Sequence, residues 1–184
     1  AVRNDDLNDQ SEGTYILGET YYYLRTGNTI VGNYGTGTFT QTTGSHRVAS
    51  SGGMLTIARN QGSQGTYNLQ GGTLEADVEN NDLFNMQGGA YYGDFINNDL
   101  FRYYDGNFYG ELVNNGSIYL YDHFNALYGL TNNSSLTVSS LRTLSASSGN
   151  IDNNGALSIA GGRLEARNVS NRINNYGQLS ATNG

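Results

Sequence analysis

The pair Asn-Asn recurs six times along the chain: Asn80-Asn81, Asn97-Asn98, Asn114-Asn115, Asn132-Asn133, Asn153-Asn154 and Asn174-Asn175. Successive pairs stand 17, 17, 18, 21 and 21 positions apart. A nearly constant period of this length signals a repeat architecture, and it restricts the fold more than any local propensity does. A row this short cannot bury an apolar face alone, so rows must stack on one another.

Each row carries the same alternation. Four residues past the first Asn of a pair stand Phe84, Phe101, Ile118, Leu136 and Leu157. Two further on come Met86, Tyr103, Leu120, Val138 and Ile159. Apolar residues two apart, with polar ones between, mark a strand with one buried face, and these ten are the expected core. In the last row one extra residue shifts the pattern to Leu179 and Ala181. A second apolar set closes the rows, at Tyr92, Tyr109, Tyr128 and Leu164.

Rows stacked about 4.8 Å apart pair their backbones in parallel, which makes an all-β, single-chain parallel β-solenoid with coils of about 17–28 residues. The twelve asparagines then have a physical reason. Asn tolerates a left-handed corner, and its amide both gives and accepts hydrogen bonds, so amides stacked in register form a ladder.

The earlier part of the chain repeats with longer rows. Gly13-Thr14-Tyr15, Gly37-Thr38-Phe39 and Gly65-Thr66-Tyr67 begin equivalent strands. The expected organisation is a polar N-terminal arm over 1–13, a long-coil part over 14–76 and a regular Asn-ladder part over 77–184. GTYNLQGGTLEA, echoed in ALSIAGGRLEA, resembles the repeats of autotransporter passenger domains and related secreted bacterial β-helix proteins. That resemblance implies a right-handed coil outside the cell; it implies no catalytic residue.

With 25 Asn, 26 Gly and neither Pro, Cys, Trp nor Lys, the composition favours strands and tight turns over helices. A net charge of −7 leaves no basic stripe for a nucleic-acid backbone. No apolar run approaches the roughly 20 residues needed to cross a bilayer. The opening Ala1-Val2-Arg3 lacks a charged-then-apolar leader, so the expectation is a mature form after signal removal.

No residues stand out as catalytic, metal-binding or cofactor-binding. His46 and His123 lie apart and read as surface histidines. Asp77, Asp94 and Glu111 share a row position, as do Asp82 and Asp99, which offers a solvated acidic edge, a Ca²⁺ ladder or a paired-acid hydrolase site. Asn115, Asn132, Asn133 and Asn168 match the Asn-x-Ser sequon; in an Asn- and Ser-rich chain chance explains most of these, and a ladder would occupy the amides. The 15 tyrosines pack across rows, and those facing outward could contact glycans or surfaces.

Neither end shows the polar cap that usually closes a solenoid. Either the chain is a fragment of something longer or its ends are completed by another copy; the expectation taken is a secreted structural subunit that stacks head to tail on itself, with mating ends at Thr14–Thr40 and Asn171–Gly184 and with Tyr15, Tyr22, Leu179 and Ala181 at the contact. The alternatives are an adhesin binding glycans through outward tyrosines and a polysaccharide depolymerase using Asp94 and Asp99.

Overall fold

A computed structural model describes residues 12–19, 21–48, 52–166 and 172–182. All regular structure among them is β, and every strand pairing is parallel. The chain winds around three faces. The first row is β1 (Glu12–Leu17), β2 (Tyr23–Thr26) and β3 (Thr29–Val31); the second is β4 (Thr36–Gln41), β5 (Ser45–Val48) and β6 (Met54–Ile57). The third row is β7 (Gln64–Leu69), β8 (Thr73–Glu75) and β9 (Asp77–Asn80).

Rows four and five are simpler. In β10 (Leu83–Tyr92) and β12 (Leu100–Tyr109) one ten-residue strand bends across two faces, and β11 (Phe95–Asn97) and β13 (Leu112–Asn114) complete the turn. Three-strand rows then resume with β14 (Ser117–Leu120), β15 (Phe124–Ala126) and β16 (Leu130–Asn132), followed by β17 (Ser135–Val138), β18 (Thr143–Ala146) and β19 (Ile151–Asn153). The eighth row is β20 (Ala156–Ala160), β21 (Arg163–Ala166) and β22 (Ile173–Asn175), and β23 (Gln178–Thr182) starts a ninth.

Stacking order follows chain order on each face. The first face runs β1-β4-β7-β10-β12-β14-β17-β20-β23, and the third runs β3-β6-β9-β11-β13-β16-β19-β22. The second face is interrupted. β2, β5 and β8 lead into the far half of β10, whereas β15, β18 and β21 form a separate three-stranded sheet. Across that break Phe124 packs against Phe101, Tyr103 and Phe108.

Strand alternation sends two columns inward from the first face. One is Tyr15, Phe39, Tyr67, Phe84, Phe101, Ile118, Leu136, Leu157 and Leu179. The other is Leu17, Gln41, Leu69, Met86, Tyr103, Leu120, Val138, Ile159 and Ala181. All ten residues expected in the core lie in these columns and are buried. Burying a Phe or Leu side chain contributes about 1.5–3 kcal/mol, so the columns are the main source of cohesion. The rings of Tyr15, Phe39, Tyr67 and Phe84 stack in sequence, with centroids 4.8, 4.7 and 5.4 Å apart.

The closing set behaves differently from expectation. Tyr92 and Tyr128 point outward, with 44% and 61% of their surface exposed, and Tyr109 is half-buried. The inward residues of the second face are their neighbours Tyr91 and Phe108, beneath which lie Leu74 and His46. Two adjacent aromatic residues on a strand occupy opposite faces, and sequence alone picks either phase.

Glu12 and Gly13, expected in the arm over 1–13, belong instead to β1 and pair with Thr36 and Gly37; residues 1–11 lie outside the described residues. Gly13, Gly37 and Gly65 stack in one column. A Cβ on Gly65 would fall against the backbone of Val31 and Ala58, so no side chain fits that corner.

Candidate functional site

The asparagine pairs form two ladders at the corner between the third and first faces. The inner members Asn80, Asn97, Asn114, Asn132 and Asn153 are fully buried. Each donates its side-chain amide to the Oδ1 of the next row's residue, ending on Asn175, at 2.7, 2.8, 2.7, 2.7 and 2.7 Å. The same nitrogen reaches two backbone carbonyls. Asn97, for example, serves Asp99 O at 3.1 Å and Ser117 O at 3.1 Å. Two amide hydrogens thus satisfy three acceptors, two of which belong to the corner backbone that burial would otherwise leave unpaired.

The outer ladder runs the other way. Asn98 donates to Asn81 at 2.8 Å, Asn115 to Asn98 at 3.0 Å, Asn133 to Asn115 at 2.9 Å and Asn154 to Asn133 at 2.9 Å. Opposed amide dipoles offset one another along the rod. Below Asn80 the inner column continues as Ile57 and Val31, so the amide ladder belongs to the regular rows.

Two expectations about this corner are corrected. Among the described residues no Asn has a positive φ; the non-glycine residues that do are Ala58 and Leu141. The amides are selected by hydrogen bonding, not by left-handed backbone. In the last row the pairing also shifts by one. Asn175 lies over Asn153 and Asn174 over Asp152, to which it donates at 2.6 Å, so Asn174 is not in the inner ladder. Counted from Asn175, Leu179 and Ala181 fall four and six positions on, as in every other row, and the outer place goes to Tyr176.

Further amide stacks lacked any doublet to reveal them. Asn85 donates to Asn68 at 2.8 Å, Gln70 to Gln87 at 3.0 Å and Asn60 to Asn33 Oδ1 at 2.9 Å. Register matching of isolated polar positions could have found them.

His46 is the larger correction: it is fully buried, not on the surface. It occupies an inward position between Leu24 and Leu74 and stacks on Phe39 at 5.0 Å. Tyr67 donates its hydroxyl to Gln41 Oε1 at 2.8 Å, so its oxygen accepts from His46 Nδ1 at 3.0 Å. His46 Nε2 is then the acceptor for the Thr29 hydroxyl at 3.2 Å, and Thr29 lies 2.8 Å from Thr26 Oγ1. Gln41 donates onward to Gly44 O and Thr73 O at 3.1 and 2.9 Å. This single-direction chain fixes the neutral imidazole with its proton on Nδ1. Burial pushes the His46 pKa down to about 4. Thr26 and Thr29 open onto a cavity of about 910 Å³ at the first row, also lined by Tyr15, Leu24 and Phe39. His123 is exposed, and its Nδ1 accepts from Thr143 N at 3.1 Å.

The acidic column is held by backbone. Asp77 accepts from Asp94 N at 3.0 Å, and Asp94 accepts from Glu111 N at 3.3 Å. Asp82 accepts from Gly65 N at 2.8 Å, while burial and then the Asp82 charge raise the pKa of Asp99. Among the described residues no three His, Cys, Asp or Glu side chains converge on a common metal position. No described helix is long and apolar enough to cross a membrane.

Of the residues expected at the ends, Tyr15 is half-buried, Tyr22 is exposed, and Leu179 and Ala181 are exposed on β23. Sequon Asn132 is buried in the ladder, Asn115 and Asn133 are exposed, and Asn168 and Asn171 lie outside the described residues. Comparison with protein-family models, curated proteins and solved structures returns no match. The class defined by the structure is a parallel β-solenoid with asparagine ladders; the likeness to autotransporter passengers rests on the Gly-Thr-Tyr motifs alone.

Proposed function

We propose that this chain is a non-enzymatic structural rod that joins further copies of itself end to end, outside the cell. The observation that carries this reading is the continuity of the two inward columns. Tyr15 and Leu17 stand at one extremity of the columns that finish in Leu179 and Ala181, and Leu179 is 49% exposed. A second copy seated on β23 would bring Tyr15 over Leu179 and continue the apolar interior. Among the described residues β1 pairs with β4 and β23 with β20, and a strand paired on one side can template a further strand on the other. Head-to-tail contact of this kind is heterologous and generates an open filament. The net charge of −7 opposes side-by-side clumping of the shafts. The extracellular place is supported by the passenger-like motifs.

Negative-stain microscopy and light scattering of the purified chain test the reading. Filaments one rod wide are expected, shortened to single rods by Leu179→Asp or Tyr15→Asp. Wild-type protein that stays as single rods at every concentration, or variants that polymerise like wild type, would refute it.

A further inference from the structure

Four outward tyrosines stand in register on neighbouring rows. Tyr92 pairs with Tyr109 across β10 and β12, and their rings stack with centroids 4.7 Å apart and planes 16° apart. Tyr104 is the extra residue of a bulge, where Met86 pairs with Tyr103 and Gln87 with Asp105. The bulge keeps Tyr103 inside and turns Tyr104 out, over Tyr121 of the next row, at 4.7 Å and 12°. Tyr92, Tyr104 and Tyr121 are 44%, 38% and 41% exposed.

We infer that Tyr92–Tyr109 and Tyr104–Tyr121 are sites of oxidative cross-linking, where hydrogen peroxide and a haem peroxidase join adjacent rows through a tyrosine–tyrosine carbon–carbon bond. Each phenol gives one electron to the oxidant and one proton to solvent. The two phenoxyl radicals combine at their ortho carbons, and each ortho hydrogen then moves to oxygen to restore the phenol. Two tyrosines and one peroxide thereby yield one dityrosine and two waters. Stacking holds the partners together through the radical lifetime, which is the proximity advantage of an intramolecular reaction.

The rest of the chain favours these sites. Tyr67, Tyr91 and Tyr103 are shielded in the core, with hydroxyls donated to Gln41, to Ala76 and Asp94, and to Gly106. The sequence holds neither Cys nor Trp to intercept an oxidant, and of its two methionines Met86 is buried. A chain without disulfides would gain covalent staples spanning rows four to six. The inference is independent of end-to-end joining.

The test is to treat dilute full-length protein with a haem peroxidase and peroxide, isolate single rods by size exclusion, and read dityrosine fluorescence and cross-linked peptides. Tryptic cleavage after Arg102 separates Tyr92 from Tyr109, so that bond joins two peptides, whereas Tyr104 and Tyr121 stay within one. The expected result is intrachain dityrosine at both pairs and at least a fivefold loss of it in the Tyr92→Phe/Tyr104→Phe double variant, whose circular dichroism stays that of wild type. Cross-links found only between chains, bonds centred on Tyr21, Tyr22 or Tyr176, or an undiminished intrachain yield in the double variant would overturn it.

Discussion

Asn153 donates its side-chain amide to Asn175 at 2.7 Å, across 22 positions of sequence, and passes over Asn174. The inner ladder thus follows the backbone register of the rows and not the spacing of the Asn-Asn doublets. What is preserved from row to row is one amide pointing inward at a fixed distance before the next strand.

Inner and outer amides should differ sharply in their contribution to stability. Replacing Asn114 by Leu takes the buried donor away from Asn132 Oδ1, removes the side-chain bonds to Gly116 O and Ser135 O, and costs Asn97 Nδ2 one of its three acceptors. A cost of about 3 kcal/mol is expected, since each buried orphan costs about 1–3 kcal/mol. Asn115→Ala removes solvent-exposed bonds and should cost about 0.5 kcal/mol. Urea unfolding followed by circular dichroism measures both; equal costs would contradict the two-ladder arrangement.

His46 makes stability depend on acidity. Its folded pKa of about 4 lies below the ordinary value of 6.5, so the unfolded chain binds the proton more tightly. The contribution of His46 is therefore complete above pH 6.5 and is lost as pH falls towards 4, by up to about 3 kcal/mol. His46→Leu, which matches Leu24 and Leu74 in its column, should remove that part of the pH dependence while lowering stability at neutral pH, because Tyr67 and Thr29 lose a partner. The readout is the difference between the two urea midpoints from pH 7 to pH 4.5, which cancels the carboxylate contributions they share.

Stacked acids predict a mild gain from neutralisation. Asp94→Asn keeps an acceptor for Glu111 N and removes one of three aligned negative charges. Thermal unfolding at low salt should show a change between zero and about 0.5 kcal/mol of stabilisation, shrinking as salt is added. A large loss would mean that the column holds a bound cation.

Leu141 is 82% exposed with φ 61°, at the third position of a turn closed by Arg142 N to Ser139 O at 3.2 Å. A β-carbon is strained there, and Asn tolerates the left-handed region better. Leu141→Asn should stabilise by about 0.5–1 kcal/mol, of the size seen when backbone strain is relieved. Calorimetry of the pair decides it; an unchanged or lower midpoint would count against strain at this residue.

The row period, the ten core residues and the parallel stack were legible because stacking demands the same alternation in every row, so Phe84, Phe101 and Ile118 announce one another. The aromatic doublet Tyr91-Tyr92 was not, because alternation with period two has two equivalent phases, and only the corner geometry chooses which ring turns in. The same limit hid His46, whose column is aliphatic in the rows on either side and whose partners Thr29 and Tyr67 come from two different strands, β3 and β7.

By itself the sequence determined that rows repeat, which residues alternate and that amides recur at one corner, since all of these are periodicities along a line. The tertiary structure alone decided which Asn of each pair is buried, that Asn175 and not Asn174 continues the ladder, and that His46 is enclosed. Those outcomes depend on where each row's corner falls relative to the one beneath it, a relation between residues far apart in the chain.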